Sequence, residues 1–404
     1  MESFHYPLPA GVHEIPAPQL DLRPDAEIDH DLLHPAPVSV ASEKNIWLFW
    51  HSGYAGMHPY TRRNVRAWHR RFARQGWVVR VVDRVPGSPL HAGAFLDLTS
   101  DRDVPRAFAD GTIAGAYAPQ HASDLVRFPL LLRHGGVYAD AGLLPIGDLD
   151  RLWRATVAAA KPPSPSRFEL LAYDCSSGGG AEPPVLANYF LAARRGNPML
   201  ARAHRLLLAL WEGRQTTEGM HASPLLAGVP LQGRRFGDAV SRELTDYIIQ
   251  GQAMSLVLGL VDEEGWDGPR YAAEHVYAMD YMEGSQLINE ITAWDGNKAF
   301  RLMSLPLPKE GEPESADQRQ AREIVEACLQ RSFGFKLAHG MILKILGETL
   351  GSLWRSHEGS DDVPGTYAHW LRYAIVHWVP DRVPPALEFQ VFEPFKQGPL
   401  LRDI

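Results

Sequence analysis

Ala122-Ser-Asp-Leu-Val-Arg-Phe-Pro-Leu-Leu-Leu-Arg-His-Gly-Gly-Val-Tyr-Ala-Asp140 decides how the rest of the chain is read. Its first part is helical from about Ser123 to His134: Asp124 and Arg127 are three apart and share a face, while Leu125, Phe128 and Leu132 can turn toward a sheet. Pro129 lacks an amide donor, so a kink or a register change is expected there. The helix stops at Gly135-Gly136, and the strand-like Val137-Tyr-Ala-Asp140 then delivers Asp140 at its C-terminal end. A carboxylate at a strand end, beside glycines that let backbone approach closely, suits a metal-diphosphate or an electrophile. On its own, an Asp–Arg helical pair such as Asp124–Arg127 is more often a surface ion pair.

Working outward, Asn45-Ile-Trp-Leu-Phe-Trp50 is a short apolar run that opens into His51-Ser-Gly53, as a buried strand does at its carboxyl end. A helix over residues 59–75 and a β-rich run over 77–82, ending at Asp83, complete a strand–helix–strand unit. Such a unit needs a crossover, so a parallel arrangement with helices on the sheet faces follows, with ligands beyond the carboxyl ends of the strands. Further strands are expected at 156–160, 168–173 and 187–192. Helices are expected at 198–211, 236–250, 316–331, 340–354 and 366–377.

Residues 1–42, with Pro7, Pro9, Pro16, Pro18, Pro24, Pro35 and Pro37, read as an extended arm. Residues 43–303 form the ligand-binding domain. The Pro/Glu-rich stretch 304–316 is a loop or linker, and 317–404 is a helical region packing on the same domain. The Gly-containing loop 174–184 is either a lid or a plain surface connection.

At 404 residues the chain can bury a large core, and 45% hydrophobic against 22% charged residues excludes a disordered or fibrous protein. A net charge of −8 argues against a chain built as a whole to coat nucleic acid or anionic lipid. Cys175 and Cys328 stand far apart, without metal-ligand spacing, which argues against a disulfide framework or a zinc site and fits a reducing compartment. The Pro-rich start has no apolar core of a signal peptide, and no apolar run approaches the roughly 18 residues of a membrane span. A cytoplasmic protein without a membrane span is therefore expected. GxSxG, HExxH and the phosphate-binding GxxxxGK[ST] loop are absent.

The order Ser123, Asp124, Arg127, Leu131, Gly135, Gly136, Tyr138, Asp140 resembles SDxxRxxxLxxxGGxYxDxD, the signature of capsular polysaccharide synthesis proteins and related DxD-type glycosyltransferases. The resemblance extends over about residues 45–210, and more weakly to Phe335-Lys-Leu-Ala-His339. It implies a GT-A fold, a Rossmann-like mixed sheet flanked by helices that binds a nucleotide sugar and passes the sugar to a hydroxyl of a glycan or small molecule. It also implies roles: Trp50 stacks on the base, Asp124 lies near ribose and sugar hydroxyls, and Arg127 contacts the donor. Tyr138, Gly135 and Gly136 belong to the same donor-binding motif, and Asp140 is the first Asp of DxD, with Asp124 and Asp140 the catalytic pair.

The second Asp is absent, because the chain reads Asp140-Ala141-Gly142. A divalent cation bridging a diphosphate normally takes one or two carboxylates, so Mn²⁺ or Mg²⁺ on Asp140 is weakened unless Asp148 or Asp150 substitutes. Arg127, Lys336 and His339 offer another way to neutralise a leaving phosphate, although Lys336 and His339 also read as an ordinary surface pair. Arg62, Arg66 and Arg70 step by four along a helix that has no acidic residue. They form either a solvated face or a polyanion-binding stripe. The stripe keeps a second reaction open, group transfer from tRNA as in cyclodipeptide formation, beside a third reading as an inactive nucleotide-binding scaffold. The loop His357-Glu-Gly-Ser-Asp-Asp362 reads as solvated.

Overall fold

The computed structural model describes residues 5–158, 166–176, 179–180, 183–309 and 311–401. Runs such as Asn45–Phe49 and Leu170–Asp174 are buried along their whole length, as expected of strands covered on both faces. Six of them make the main sheet: β1 (Asn45–Phe49), β2 (Val78–Val82), β3 (Gly136–Ala139), β4 (Leu170–Asp174), β5 (Leu186–Ala193) and β6 (Val276–Asp280). The spatial order is β2-β1-β3-β5-β4-β6. β1 is parallel to β2 and to β3, with Trp47 opposite Arg80 on one side and Tyr138 on the other. β5 runs antiparallel to β3 and β4, and β6 is parallel to β4. The sheet is therefore mixed α/β. Because β5 is reversed, its N-terminal end meets the carboxyl ends of β1 and β3.

Alternation along the strands assigns the two faces. Trp47, Phe49, Val82 and Tyr138 pack toward helices Ala118–His134, Pro198–Trp211 and Ile249–Leu258. Ile46, Leu48, Val79, Val81 and Val137 pack toward Val65, Trp68 and Phe72 of helix Pro59–Phe72 and toward Leu149 and Trp153. A third cluster joins Tyr6, Tyr60, Leu144 and Ile146 to Ile324, Trp354 and Trp370 of the C-terminal helices. This third cluster thus joins residues on both sides of the 304–316 stretch. The helices Ala316–Arg331 and Pro198–Trp211 form as their periodicity predicts.

A short ribbon matters most for the site. Leu143–Pro145 pairs antiparallel with Gly334–Lys336, with Leu143 opposite Lys336, and the Leu337 amide donates to the Gly142 carbonyl at 2.9 Å. The C-terminal region thereby sets Lys336 beside the turn that follows β3.

Several expectations are corrected. The arm is not extended throughout, since Asp25–Leu33 is a helix that buries Ile28 and Leu32, four apart, and carries Pro24 at its start. Residues 156–158 are a turn after helix Leu149–Ala155, not a strand, and 159–160 lie outside the described residues. The helix expected at 236–250 is two, Asp238–Tyr247 and Ile249–Leu258, and that at 340–354 is Met341–Leu346 and Leu350–Ser356, divided at Gly347. Helix Ala118–His134 starts a turn earlier than predicted and runs through Pro129. Of the loop at 174–184, residues 177, 178, 181 and 182 lie outside the described residues, as does residue 310.

Candidate active site

The carboxyl ends of β1 and β3, the N-terminal end of β5 and the Leu143/Lys336 ribbon surround a cleft of about 360 Å³. Trp50, Asp124, Arg127, Asp140, Lys336 and His339, all singled out from sequence, line it. Sequences more than 200 residues apart thus converge on one space, as open α/β sheets arrange their ligand sites.

Arg127 organises the centre. Its guanidinium reaches Asp124 Oδ1 at 2.8 Å and Asp140 Oδ1 at 3.5 Å, and donates to the Asn188 carbonyl at 2.6 Å and to Ser123 Oγ at 3.1 Å. It lies 4.7 Å over the Tyr138 ring, whose hydroxyl bonds Ser123 Oγ at 2.6 Å. Burial works against the Arg127 charge, but Asp124, Tyr138 and Asp140 outweigh it and raise its pKa. Asn188 Nδ2 holds Asp124 Oδ1 at 3.2 Å, and Gln250 Nε2 donates to the Asp124 carbonyl at 2.6 Å. Burial pushes the Asp124 carboxyl up to about 7, with Asp140 adding to that and Arg127 opposing it. Asp140 Oδ2 faces Lys336 Nζ at 3.3 Å.

On the other wall, Trp50 lies near His51 and edge-on to His58, and its buried indole Nε1 has no hydrogen-bond partner among the described residues. His339 Nε2 meets the Tyr60 hydroxyl at 3.1 Å, and its Nδ1 is likewise unpartnered. Burial, with Lys336, Arg355 and His58 adding, drives the His339 pKa well below its ordinary value, so its ring is neutral at pH 7. His339 therefore cannot serve as a standing cation.

Four of the motif residues do not line the cleft, and Leu131 among them is a buried core residue. Gly135 and Gly136 stand at the opposite, N-terminal end of β3 with φ of 66° and 105°. A Cβ at Gly136 would come within 2.3 Å of the Asn45 carbonyl oxygen, so this pair serves the close packing of the turn on β1 rather than a donor. Tyr138 is fully buried behind Arg127 and positions that guanidinium.

Asp148 and Asp150 do not replace the missing carboxylate. Asp148 caps helix Leu149–Ala155 through the Arg151 amide, and Asp150 is tied to Lys44, Arg154 and the Trp77 indole. The only group of three metal-capable side chains among the described residues is Asp21, Asp31 and His69, away from the cleft. Arg23 bridges its two carboxylates.

Two arginines of the stripe are also spoken for. Arg66 binds Asp25 and Asp29, at 2.5 and 2.6 Å, and Arg70 binds Asp25 at 2.7 Å and the carbonyls of Asp21 and Arg23, each at 2.8 Å. Arg66 and Arg70 hold the acidic arm helix to helix Pro59–Phe72, which weighs against reading the stripe as a polyanion or tRNA surface. Asp361 is not solvated either: it is fully buried between Arg63 and Arg372.

Sequence reasoning missed His58, Tyr60, Asn188, Tyr247, Gln250 and Arg355, all but Gln250 on the cleft wall. His58, Tyr60 and Asn188 lie within residues 45–210, which carry the resemblance. The others come from helices without a motif.

A mixed α/β sheet whose strand ends open on a cleft with paired carboxylates, cations and an aromatic wall defines a ligand-binding enzyme of the α/β class. Residues 29–219 match the capsular polysaccharide synthesis protein family. The chain is 35% identical over 360 residues to glycosyltransferase afumC of Aspergillus fumigatus, covering 87% of this chain and 88% of that one. It is 33% identical over 387 residues to O-glycosyltransferase braB of Annulohypoxylon truncatum (92% and 88%), and 29% identical over 383 residues to O-glycosyltransferase PaGT of Phomopsis amygdali (91% and 90%). The protein belongs to this family of glycosyltransferases and is a transferase. No helix among the described residues is long and apolar enough to cross a membrane.

Proposed function

We propose that the protein transfers a sugar from a nucleotide-sugar donor to a hydroxyl of a glycan or small molecule. The observation that carries this reading is the convergence of Trp50, Asp124, Arg127, Asp140 and Lys336 on one cleft. Trp50 offers an aromatic face to a nucleotide base. Asp124, held by Asn188, presents a carboxyl that accepts or donates to sugar hydroxyls near neutral pH. Arg127 fixes Asp124 and Asp140 relative to each other, so both are in place before the donor arrives. The hydroxyl acceptor is supported by the relatives named O-glycosyltransferases. With three cations (Arg127, Lys336 and Arg355) against two carboxylates, the cleft walls suit an anionic donor.

Calorimetric titration with a panel of nucleoside diphosphates and their sugars tests the reading. One base is expected to bind, with affinity falling in Trp50→Ala and turnover falling in Asp140→Asn. Failure of every nucleotide to bind would refute it.

A further inference from the structure

We infer that Lys336 does in this protein what a divalent cation does at a full DxD pair, so that the donor diphosphate is held and released without a resident metal. This inference rests on the sugar-transfer reading above.

The cleft's oxygen donors do not fit a hard divalent ion. Beside the phosphates and water such an ion takes one or two carboxylates from the protein, and three of the four carboxylate oxygens at the centre already face a cation or an amide. Asp140 Oδ1 faces Arg127 at 3.5 Å and Oδ2 faces Lys336 at 3.3 Å, while Asp124 Oδ1 is bound by Arg127 and Asn188. A dication on Asp140 would stand against an ammonium and a guanidinium, both of the same sign. Asp148 and Asp150, the nearest acids in sequence, are bonded elsewhere.

Position 142 shows what took the place of the second carboxylate. A Cβ built on Gly142 would lie 3.3 Å from Lys336 Nζ and 3.4 Å from the Leu337 carbonyl, so the lysine head fills the volume that a side chain at 142 would enter. Gly142 is not in the left-handed region, so the absence of a side chain there matters for space and not for conformation. Gly142 and Lys336 are matched: the small residue admits the long cation.

Lys336 is also placed firmly. The Leu143–Pro145/Gly334–Lys336 ribbon fixes its backbone, and Nζ lies 5.7 Å over the Tyr189 ring. An ammonium has three protons. One faces Asp140, a second is donated to the Leu337 carbonyl at 3.1 Å, and the third is available to a phosphate oxygen in the cleft. Arg355, exposed on the same wall and without an ion pair among the described residues, supplies a second cation. When the bond from the anomeric carbon to the phosphate oxygen breaks, the electron pair stays on the diphosphate facing Lys336, which keeps its proton. The acceptor oxygen forms the new bond to that carbon and releases its proton to water.

The test is titration of the full chain with UDP, GDP, ADP, CDP and inorganic pyrophosphate, once in EDTA and once in Mn²⁺, together with electron paramagnetic resonance of Mn²⁺ added alone. Equal affinity in the two buffers, no stoichiometric Mn²⁺ site, and a loss of about ten- to a hundredfold in Lys336→Met, partly restored in Lys336→Arg, are expected for one charged hydrogen bond. Binding that requires Mn²⁺, a stoichiometric Mn²⁺ site on the wild type, or a folded Lys336→Met with wild-type affinity would overturn the inference; the first two leave the sugar-transfer reading standing. Failure of all five probes in both buffers would remove that reading and the inference with it.

Discussion

Asp124→Asn gives a stability signature whose sign follows from the site. Burial is the main cause of the raised Asp124 pKa, about 7 in the folded protein against an ordinary 3.8, and Arg127 at 2.8 Å only partly offsets it. Between those two values the folded chain holds a proton that the unfolded chain has lost. Stability is therefore greatest at low pH and falls as pH rises toward the folded pKa. Each pH unit in that window is worth about 1.4 kcal/mol, so the whole fall is about 4 kcal/mol at most. Asparagine keeps the oxygen that faces Arg127 and Asn188 but does not titrate. Thermal melts of wild type and Asp124→Asn at pH 5, 6, 7 and 8 are the assay, read as the difference between the two proteins so that other groups cancel. The variant should gain on the wild type with each step up in pH, flattening above about pH 7. A difference that stays constant, or one that moves in favour of wild type as pH rises, would show that Arg127 outweighs burial and would refute the reasoning.

Under the sugar-transfer reading, Asp140→Asn should lower kcat by about a hundredfold or more with the fold intact by circular dichroism, because the residue lines the cleft and is not part of the core. Asp361→Ala should destabilise the protein by about 3–5 kcal/mol in denaturant titration, since it strands Arg63 and the buried Arg372 without their shared carboxylate. Replacing Arg62, Arg66 and Arg70 together by Gln should loosen helix Asp25–Leu33, seen as faster proteolysis of the arm. RNA binding should be absent before and after the change, and a salt-sensitive gel shift by the wild type would restore the polyanion reading.

The parts of this fold that were legible were those in which local sequence and tertiary role agree. Val137 to Asp140 reads as a strand because it is apolar and follows two glycines, and the rule for strand ends places Asp140 at the cleft. The direction of β5 was not legible, because a fully buried strand reads the same whichever way it runs. The arginine stripe misled for a related reason: its partners, Asp25 and Asp29, stand more than 30 residues upstream, in a proline-rich segment whose short helix shows only Ile28 and Leu32 as a buried edge. His357-Glu-Gly-Ser-Asp-Asp362 has the composition of a solvated loop, and only the arrival of Arg63 and Arg372 from distant helices makes Asp361 a buried ion. Gly135 and Gly136 carried the motif correctly but not its meaning, because their backbone serves the packing of a turn that sits a strand's length from the site. Arg355 and Tyr247 reach the cleft from helices that carry no motif.

The most direct test of sugar transfer is ³¹P NMR of the enzyme with the nucleotide sugar selected by titration and a hydroxyl acceptor, followed by mass spectrometry of the acceptor. The account predicts that free nucleoside diphosphate appears in step with an acceptor heavier by one sugar residue, and that both cease in Asp140→Asn. Diphosphate release with an unmodified acceptor and free sugar, or no release with any nucleotide sugar, would contradict it.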